Sequence, residues 1–227
     1  MEVPNHLIRL ICRLYEDGTA SVRIDDVNSK SFHTHAGVRQ GCILSPLLFN
    51  IYTEYIMRIF LEECDKGISV GGWKISNLRY ADDTTLFAQN KEDMEHLLTR
   101  LERISLSFGL AINTDKTKIM IVDRAELNHP DIPTIGNCEV VQSYVYLGST
   151  ISNTGGCEEE IQRRCAITRS AVDRLKKLWC NRNITKATKV RLMRSLVFPI
   201  FLYSAETWTV RLKDRRRIDA LEMWCWR

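Results

Sequence analysis

Two adjacent carboxylates stand between two short apolar runs at Tyr80-Ala81-Asp82-Asp83, with residues 75–78 before them and 86–88 after. A run, a polar pair and a second run of this length predict strand, tight turn, strand. A hairpin of this kind constrains the chain on both sides, because the turn sets which residues face one another and puts the acidic pair at a rigid tip. Carboxylate oxygens are hard donors of the kind Mg²⁺ takes, usually one or two of them together with the phosphates of a substrate. An Asp-Asp pair is also common in solvated turns, so the surroundings must decide between the two readings.

The chain has 227 residues, 44% of them hydrophobic and 26% charged. That is enough for one domain or two small ones with a packed core, and it excludes a disordered chain. No apolar run approaches the ~20 residues of a membrane helix, and Met1-Glu2-Val3-Pro4 does not read as a secretory leader. The net charge is +4, unevenly distributed: residues 151–227 carry 17 Lys and Arg against 8 Asp and Glu, whereas residues 1–150 carry 15 against 20. An acidic front and a basic back suit a metal-binding part followed by a polyanion-binding part, and basic helices with a solvated face account for the same numbers. Eight cysteines, at 12, 42, 64, 138, 157, 165, 180 and 225, show no C-x-x-C spacing and no zinc pattern with His. Reduced, buried thiols in an intracellular protein are expected.

In chain order, Pro4 opens a helix with Leu7, Ile8, Ile11, Leu14 and Tyr15 at helical spacing, and Gly18 ends it. Residues 19–24 and 31–36 read as a hairpin around a second acidic pair, Asp25-Asp26, whose neighbours are those of an ordinary polar loop. Gly37-Val38-Arg39-Gln40-Gly41 then feeds a helix with Ser45 as its expected N-cap and Pro46 in its first turn. The glycines permit close backbone approach to a ligand, and a helix N-terminus favours anions. A further hairpin, with Gly71-Gly72 at its turn, leads into the acidic tip. Asn90 caps a helix bearing Met94, Leu97, Leu98, Leu101, Ile104 and Phe108 on one face. Lys116-Thr117-Lys118 precedes a strand over 119–122, a loop spans 126–137, and short strands are expected at 139–141 and 144–147. Beyond Gly155-Gly156 the pattern is helical: 158–180, then 185–202 with a kink at Pro199, then 213 onward.

Taken together, these segments resemble a reverse transcriptase of the non-LTR (LINE-type) retrotransposon class, and its RTE-like branch in particular. Residues 37–50 resemble the family's motif B, and Leu78-Arg79-Tyr80-Ala81-Asp82-Asp83-Thr84 its motif C. Gly109-Leu110 with Asn113 and Lys116-Thr117-Lys118 resembles motif D, and Tyr144-Val145-Tyr146-Leu147-Gly148 resembles motif E, the primer grip. The basic tail, with Thr207-Trp208-Thr209 and Trp224-Cys225-Trp226, resembles the thumb.

The resemblance implies an α+β chain: an incomplete right-hand polymerase palm, an antiparallel sheet with helices, over residues 1–152, followed by an all-helical thumb-like subdomain over 153–227. It implies RNA-directed DNA polymerase activity in retrotransposition, with an RNA template, a DNA primer and dNTP as partners and no membrane. Asp82 and Asp83 become ligands of Mg²⁺ (or Mn²⁺). Arg39, Gln40, Gly41 and Tyr80 would contact template and nucleotide, Lys116 or Lys118 would act on the leaving pyrophosphate, and Tyr146, Leu147 and Gly148 would position the primer terminus. An endonuclease is expected only in a full-length parent, whose expected places are a cytoplasmic ribonucleoprotein and the nucleus. Another catalytic Asp, in motif A, lies in the family upstream of the helix that here starts near Pro4. None of Asp17, Asp25 or Asp26 holds that place, so a truncated piece, inactive by itself, is expected, and a non-catalytic nucleic-acid-binding remnant is the alternative. The motif C hairpin is expected to expose an unpaired edge and apolar surface.

Overall fold

The computed structural model describes residues 3–62, 64–122 and 132–226. They fall into two compact units, Met1–Ala111 and Ile112–Arg227, and each mixes helices with small sheets, in agreement with an α+β chain.

In the first unit, α1 (Asn5–Tyr15) follows Pro4, whose carbonyl accepts the N–H groups of Leu7 and Ile8. The stripe expected on α1 is present in sequence, but none of its residues is buried. The hairpin expected over 19–36 forms as two nested pieces: β1 (Thr19–Ala20) pairs antiparallel with β4 (Phe32–His33), and β2 (Arg23–Ile24) with β3 (Val27–Asn28). The core lies between α2 (Ser45–Leu61) and α3 (Lys91–Ser107), where Ile56, Met57, Phe60, Leu97 and Leu101 are buried. Asn90 caps α3 as expected, its Oδ1 accepting the Asp93 N–H at 2.8 Å. Arg100 of α3 donates to the carbonyls of Phe60 (2.9 Å) and Glu62. A cation thus closes the C-terminal end of α2, where carbonyls have no helical partner.

Between these helices run β5 (Ile68–Val70), β6 (Trp73–Ile75), β7 (Asn77–Tyr80) and β8 (Asp83–Leu86). They form two separate two-stranded antiparallel sheets, β5–β6 and β7–β8. Only glycine fits at Gly67, where an added Cβ would meet the Ile75 carbonyl oxygen at 2.6 Å.

The second unit opens with β9 (Lys118–Ile119), β10 (Thr134–Ile135) and β11 (Cys138–Val140), a three-stranded sheet in the order β10-β11-β9. Its β9–β11 pair is parallel, a departure from the wholly antiparallel expectation: β10 and β11 make the hairpin, and β9 lies along the free edge of β11 in the same direction. Residues 126–131 of the expected loop lie outside the described residues. Next, β12 (Ser143–Tyr146) and β13 (Ser149–Ser152) form an antiparallel hairpin.

The remainder is helical. The helix expected over 158–180 is broken at Leu175 into α4 (Glu158–Arg174) and α5 (Lys176–Trp179), and the Trp179 indole N–H donates to the Val172 carbonyl across the break at 2.9 Å. Thr185 caps α6 (Lys186–Leu192), accepting the Thr188 N–H at 3.2 Å. The kink expected at Pro199 takes the form of a π-helical segment, Met193–Val197, before α7 (Phe198–Phe201). Proline has no N–H for the regular ladder, and widening the turn before it accommodates the loss. A 3₁₀ turn (Ala205–Thr207) leads to α8 (Leu212–Trp226). Ile161, Cys165, Phe201 and Leu221 form one buried cluster; Val172, Met193 and Val197 form another. Of the eight cysteines only Cys138 and Cys165 are buried, while Cys12 and Cys180 are exposed, which corrects the expectation of buried thiols. Helical spacing put Cys12 on the apolar stripe of α1, and that stripe is uncovered. Among the described residues no helix is long and apolar enough to cross a membrane.

Candidate functional site

The acidic pair sits where the sequence puts it. Tyr80 faces Asp83 across the β7–β8 ladder, which leaves Ala81 and Asp82 as a two-residue turn. Ala81 has φ +53°, a left-handed conformation that costs a residue with a Cβ roughly 1–2 kcal/mol. Asp82 and Asp83 are exposed, as is Tyr80, and Leu78 is half-exposed on a hairpin that pairs with no other strand among the described residues. The hairpin is tied to α2 through one carboxylate: Arg79 Nη1 meets Glu54 Oε2 at 2.7 Å, and Arg58 Nε takes the other Glu54 oxygen at 2.8 Å. The hydrogen bonds from Arg58 and then Arg79 hold the Glu54 carboxyl below its ordinary value. The tip carboxylates are hard-oxygen donors, and among the described residues no group of three or more His, Cys, Asp and Glu is placed to hold a metal ion. A pair of this kind suits a Mg²⁺ shared with a substrate's phosphates better than a permanently caged ion.

In the glycine-bracketed loop, Gly37 and Gly41 take φ +93° and +80°. Ser45 does not cap α2. Its hydroxyl donates instead to the Arg39 carbonyl at 2.5 Å and lies 3.3 Å from the Tyr15 hydroxyl. The Arg39 guanidinium lies 5.6 Å from the centre of the Tyr15 ring, so this cation has a partner inside the chain. Gln40 and Gly41 are exposed, and no hydrogen bond ties the Gln40 side chain among the described residues. Arg39, Gln40, Gly41, Tyr80, Asp82 and Asp83 all belong to the first compact unit.

Lys116 and residues 146–148 belong to the second. Asn113 builds the turn before β9: its Oδ1 accepts the Lys116 N–H at 3.1 Å, and its carbonyl accepts the Thr117 N–H and hydroxyl. Lys118 is engaged by Glu139 at 2.7 Å, and this hydrogen bond raises its pKa above the ordinary lysine value. Lys116 is exposed and has no ion-pair partner among the described residues, so the two lysines are unequal.

Tyr146 faces Ser149 across the β12–β13 ladder, which leaves Leu147 and Gly148 as another two-residue turn. Both have positive φ, +47° and +77°, the primed geometry that matches the twist of the flanking strands. This turn is anchored by residues that the motif spacing does not mark. Tyr203 donates to the Leu147 carbonyl at 2.7 Å, and Arg163 (3.2 Å) and Arg164 both donate to the Gly148 carbonyl. Glu160 binds Arg164 Nε at 2.5 Å and Arg163 Nη1 at 3.1 Å, and accepts the Thr150 N–H at 2.9 Å. Burial alone would raise the Glu160 carboxyl, but Arg164 and the Thr150 N–H outweigh it and hold it below the ordinary value. A cleft of about 650 Å³ opens beside this turn, lined by Tyr146, Leu147, Thr150, Tyr203 and Trp208 among others. The signal for the anchor was in the sequence only in part: Glu160 with Arg163 and Arg164 is an i, i+3, i+4 charge pattern.

Residues 1–151 match the family described as Reverse transcriptase (RNA-dependent DNA polymerase). The chain belongs to the reverse transcriptase family. Its relatives are proteins of mobile elements. A transposon-derived protein of Caenorhabditis elegans is 32% identical over 155 residues, covering 66% of this chain and 55% of that protein. The Pol polyprotein of the type-2 retrotransposable element R2DM of Drosophila melanogaster is 32% identical over 113 residues, 50% of this chain and 10% of its own length. The RNA-directed DNA polymerase of the mobile element jockey, from the same fly, is 22% identical over 220 residues, 93% of this chain and 23% of its own length. This reverse transcriptase chain therefore spans about half of one of these relatives and a quarter or less of the other two. R2 and jockey are non-LTR elements, the class that the motifs resemble.

Proposed function

We propose that this chain is the part of a retrotransposon RNA-directed DNA polymerase that carries the motif C carboxylates and the primer-contacting turn, with residues 1–152 as part of the palm and 153–227 as thumb. The observation that carries this reading is the acidic pair at a hairpin tip, Asp82 in the two-residue turn and Asp83 opening β8, inside the segment that matches the family. In the proposed reaction the primer 3′-hydroxyl attacks the α-phosphate of a dNTP. A P–O bond to the primer forms, the α–β anhydride bond breaks, and pyrophosphate leaves. Asp82 and Asp83 would hold Mg²⁺, which when bound stabilises charge on the attacking and leaving oxygens. Gln40 and Gly41, exposed on their loop, would lie against the template and the new base pair, with Arg39 holding the loop through Tyr15. Lys116, unpaired where Lys118 is engaged, is the better placed of the two to give a proton to pyrophosphate. Tyr146, Leu147 and Gly148 would seat the primer terminus, and the arginines and lysines of the helices would contact phosphates, which makes binding salt-sensitive.

Two carboxylates at one hairpin tip are part of the donor set for two metal ions. The 227-residue chain by itself is therefore expected to bind a DNA primer annealed to an RNA template without extending it. A primer-extension assay on the purified chain tests this. Robust Mg²⁺-dependent extension that disappears in Asp82→Ala would overturn the expectation of inactivity and establish the site. No measurable affinity for the primer–template would overturn the polymerase reading of this chain.

A further inference from the structure

Both carbonyls of the Leu147-Gly148 turn are held by side chains from later in the chain, on α4 and in the turn that follows α7. The Leu147 carbonyl accepts from Tyr203, 56 residues on, and the Gly148 carbonyl accepts from two arginines at once. The arginines are themselves fixed. Glu160 is 2% exposed and spends both its oxygens on them and on the Thr150 N–H of β13. Arg164 is 7% exposed, and its guanidinium lies 4.5 Å from the centre of the Tyr203 ring. One aromatic ring and one buried ion pair thus clamp a two-residue turn from one side, while Leu147 itself stays 37% exposed on the other.

Stability is a poor explanation of this arrangement. Burying an ion pair costs desolvation that its attraction barely repays, and apolar residues of similar volume often serve a core as well or better. The turn also keeps Leu147 in a left-handed conformation without burying its side chain. What a charged donor with several N–H groups supplies is direction, because one planar guanidinium binds Glu160 through Nε and the Gly148 carbonyl through Nη2 at a fixed angle.

We propose that Glu160, Arg164 and Tyr203 are positioning residues: they hold the Leu147-Gly148 turn in register with α4, so that the helical region determines where a primer's 3′ terminus sits. This rests on the assignment of residues 146–148 to the primer terminus. Arg163, more exposed and sharing the same two acceptors, is an auxiliary.

The test uses the full chain with a DNA primer annealed to an RNA template and a photoreactive 4-thiothymidine as the primer's last nucleotide. Binding is read by anisotropy, and the crosslinked peptide is mapped by mass spectrometry. Wild type is expected to crosslink within the peptide containing residues 146–148. Tyr203→Phe keeps the ring and loses only the hydroxyl. It is expected to leave affinity for the duplex within about twofold while lowering the crosslink at 146–148 by roughly three- to tenfold, the range one lost hydrogen bond allows. Arg164→Lys, which keeps the charge but not the planar bridge between Glu160 and the Gly148 carbonyl, is expected to shift the crosslink in the same way. A merely structural role would lower affinity and crosslink together, through unfolding visible in the thermal melt. Crosslinks at 146–148 that are equal in wild type and both variants, with the duplex bound, would overturn the clamp alone. A wild-type crosslink elsewhere, or none, would overturn the primer-terminus assignment and the clamp with it.

Discussion

The hairpins that turn at Ala81-Asp82 and at Leu147-Gly148 each reverse direction in two residues, and both open the turn with a residue other than glycine at positive φ. A third, Asp25-Asp26, does the same, with Asp25 at φ +52° and the turn held by exposed contacts of Arg23 to the Asp25 carbonyl at 3.2 Å and to the Asp26 carboxylate at 3.0 Å. Backbone geometry therefore does not separate them; their surroundings do. The tip at Ala81-Asp82 has solvent around the Asp82 and Asp83 carboxylates, and the ion pair of Arg79 with Glu54 lies on the strand below it. The Leu147-Gly148 tip has both carbonyls bonded to side chains of the helices, over a buried carboxylate. The first is arranged to receive something that brings its own charge. The second is arranged to stay where it is.

The largest effect that would sharpen this contrast is expected from Arg164→Ala. Removing one partner of a buried pair should lower stability by about 3–5 kcal/mol in urea unfolding, towards the lower end because Arg163 still meets Glu160. A loss below about 1 kcal/mol, the scale of an exposed pair, would break the claim that the second turn is braced. Next comes pH. The folded-state pKa of Glu160 lies below its unfolded value, so its contribution is complete above the ordinary carboxylate range and is lost as pH falls through the lowered value. Unfolding midpoints measured from pH 7 down to pH 3 should fall less steeply in Glu160→Gln than in wild type. A smaller effect is expected from Ala81→Gly, which relieves a left-handed alanine on an exposed tip and should raise stability by about 0.5–1 kcal/mol. The smallest belongs to Asp82→Asn, within about 0.5 kcal/mol of wild type by the same urea titration, because an exposed tip carboxylate has nothing to lose on folding. A large destabilisation there would make Asp82 a structural residue.

The sequence was legible wherever a local rule was sufficient. Apolar spacing foretold α2, α3 and α4, and an Asx-type cap foretold the start of α3 at Asn90. The acidic turn was readable because flanking runs of period-two residues fix a hairpin without help from elsewhere. Local rules failed where a distant group took the atom they had assigned. Ser45 reads as a cap, yet its hydroxyl goes to the Arg39 carbonyl. The helix over 158–180 breaks at Leu175, and the Trp179 indole reaches back to the Val172 carbonyl across the break. The anchoring of Leu147 could not be read, since Tyr203 reaches its carbonyl only through the fold of the whole helical region. Motif spacing marked the residues that would meet substrate, and the ones that hold those residues still carried no such mark.

The π-helical segment at Met193–Val197 has a consequence for how this region tolerates change. It is in effect one surplus amino acid threaded into a helix, and everything after it is rotated by about 100° relative to a regular α-helix. Phe201, which belongs to the buried cluster around Ile161, and Tyr203, which reaches Leu147, both lie downstream of it. Losing a single codon there would remove the surplus residue and swing both side chains off their targets. At this place the count of residues matters more than their identity.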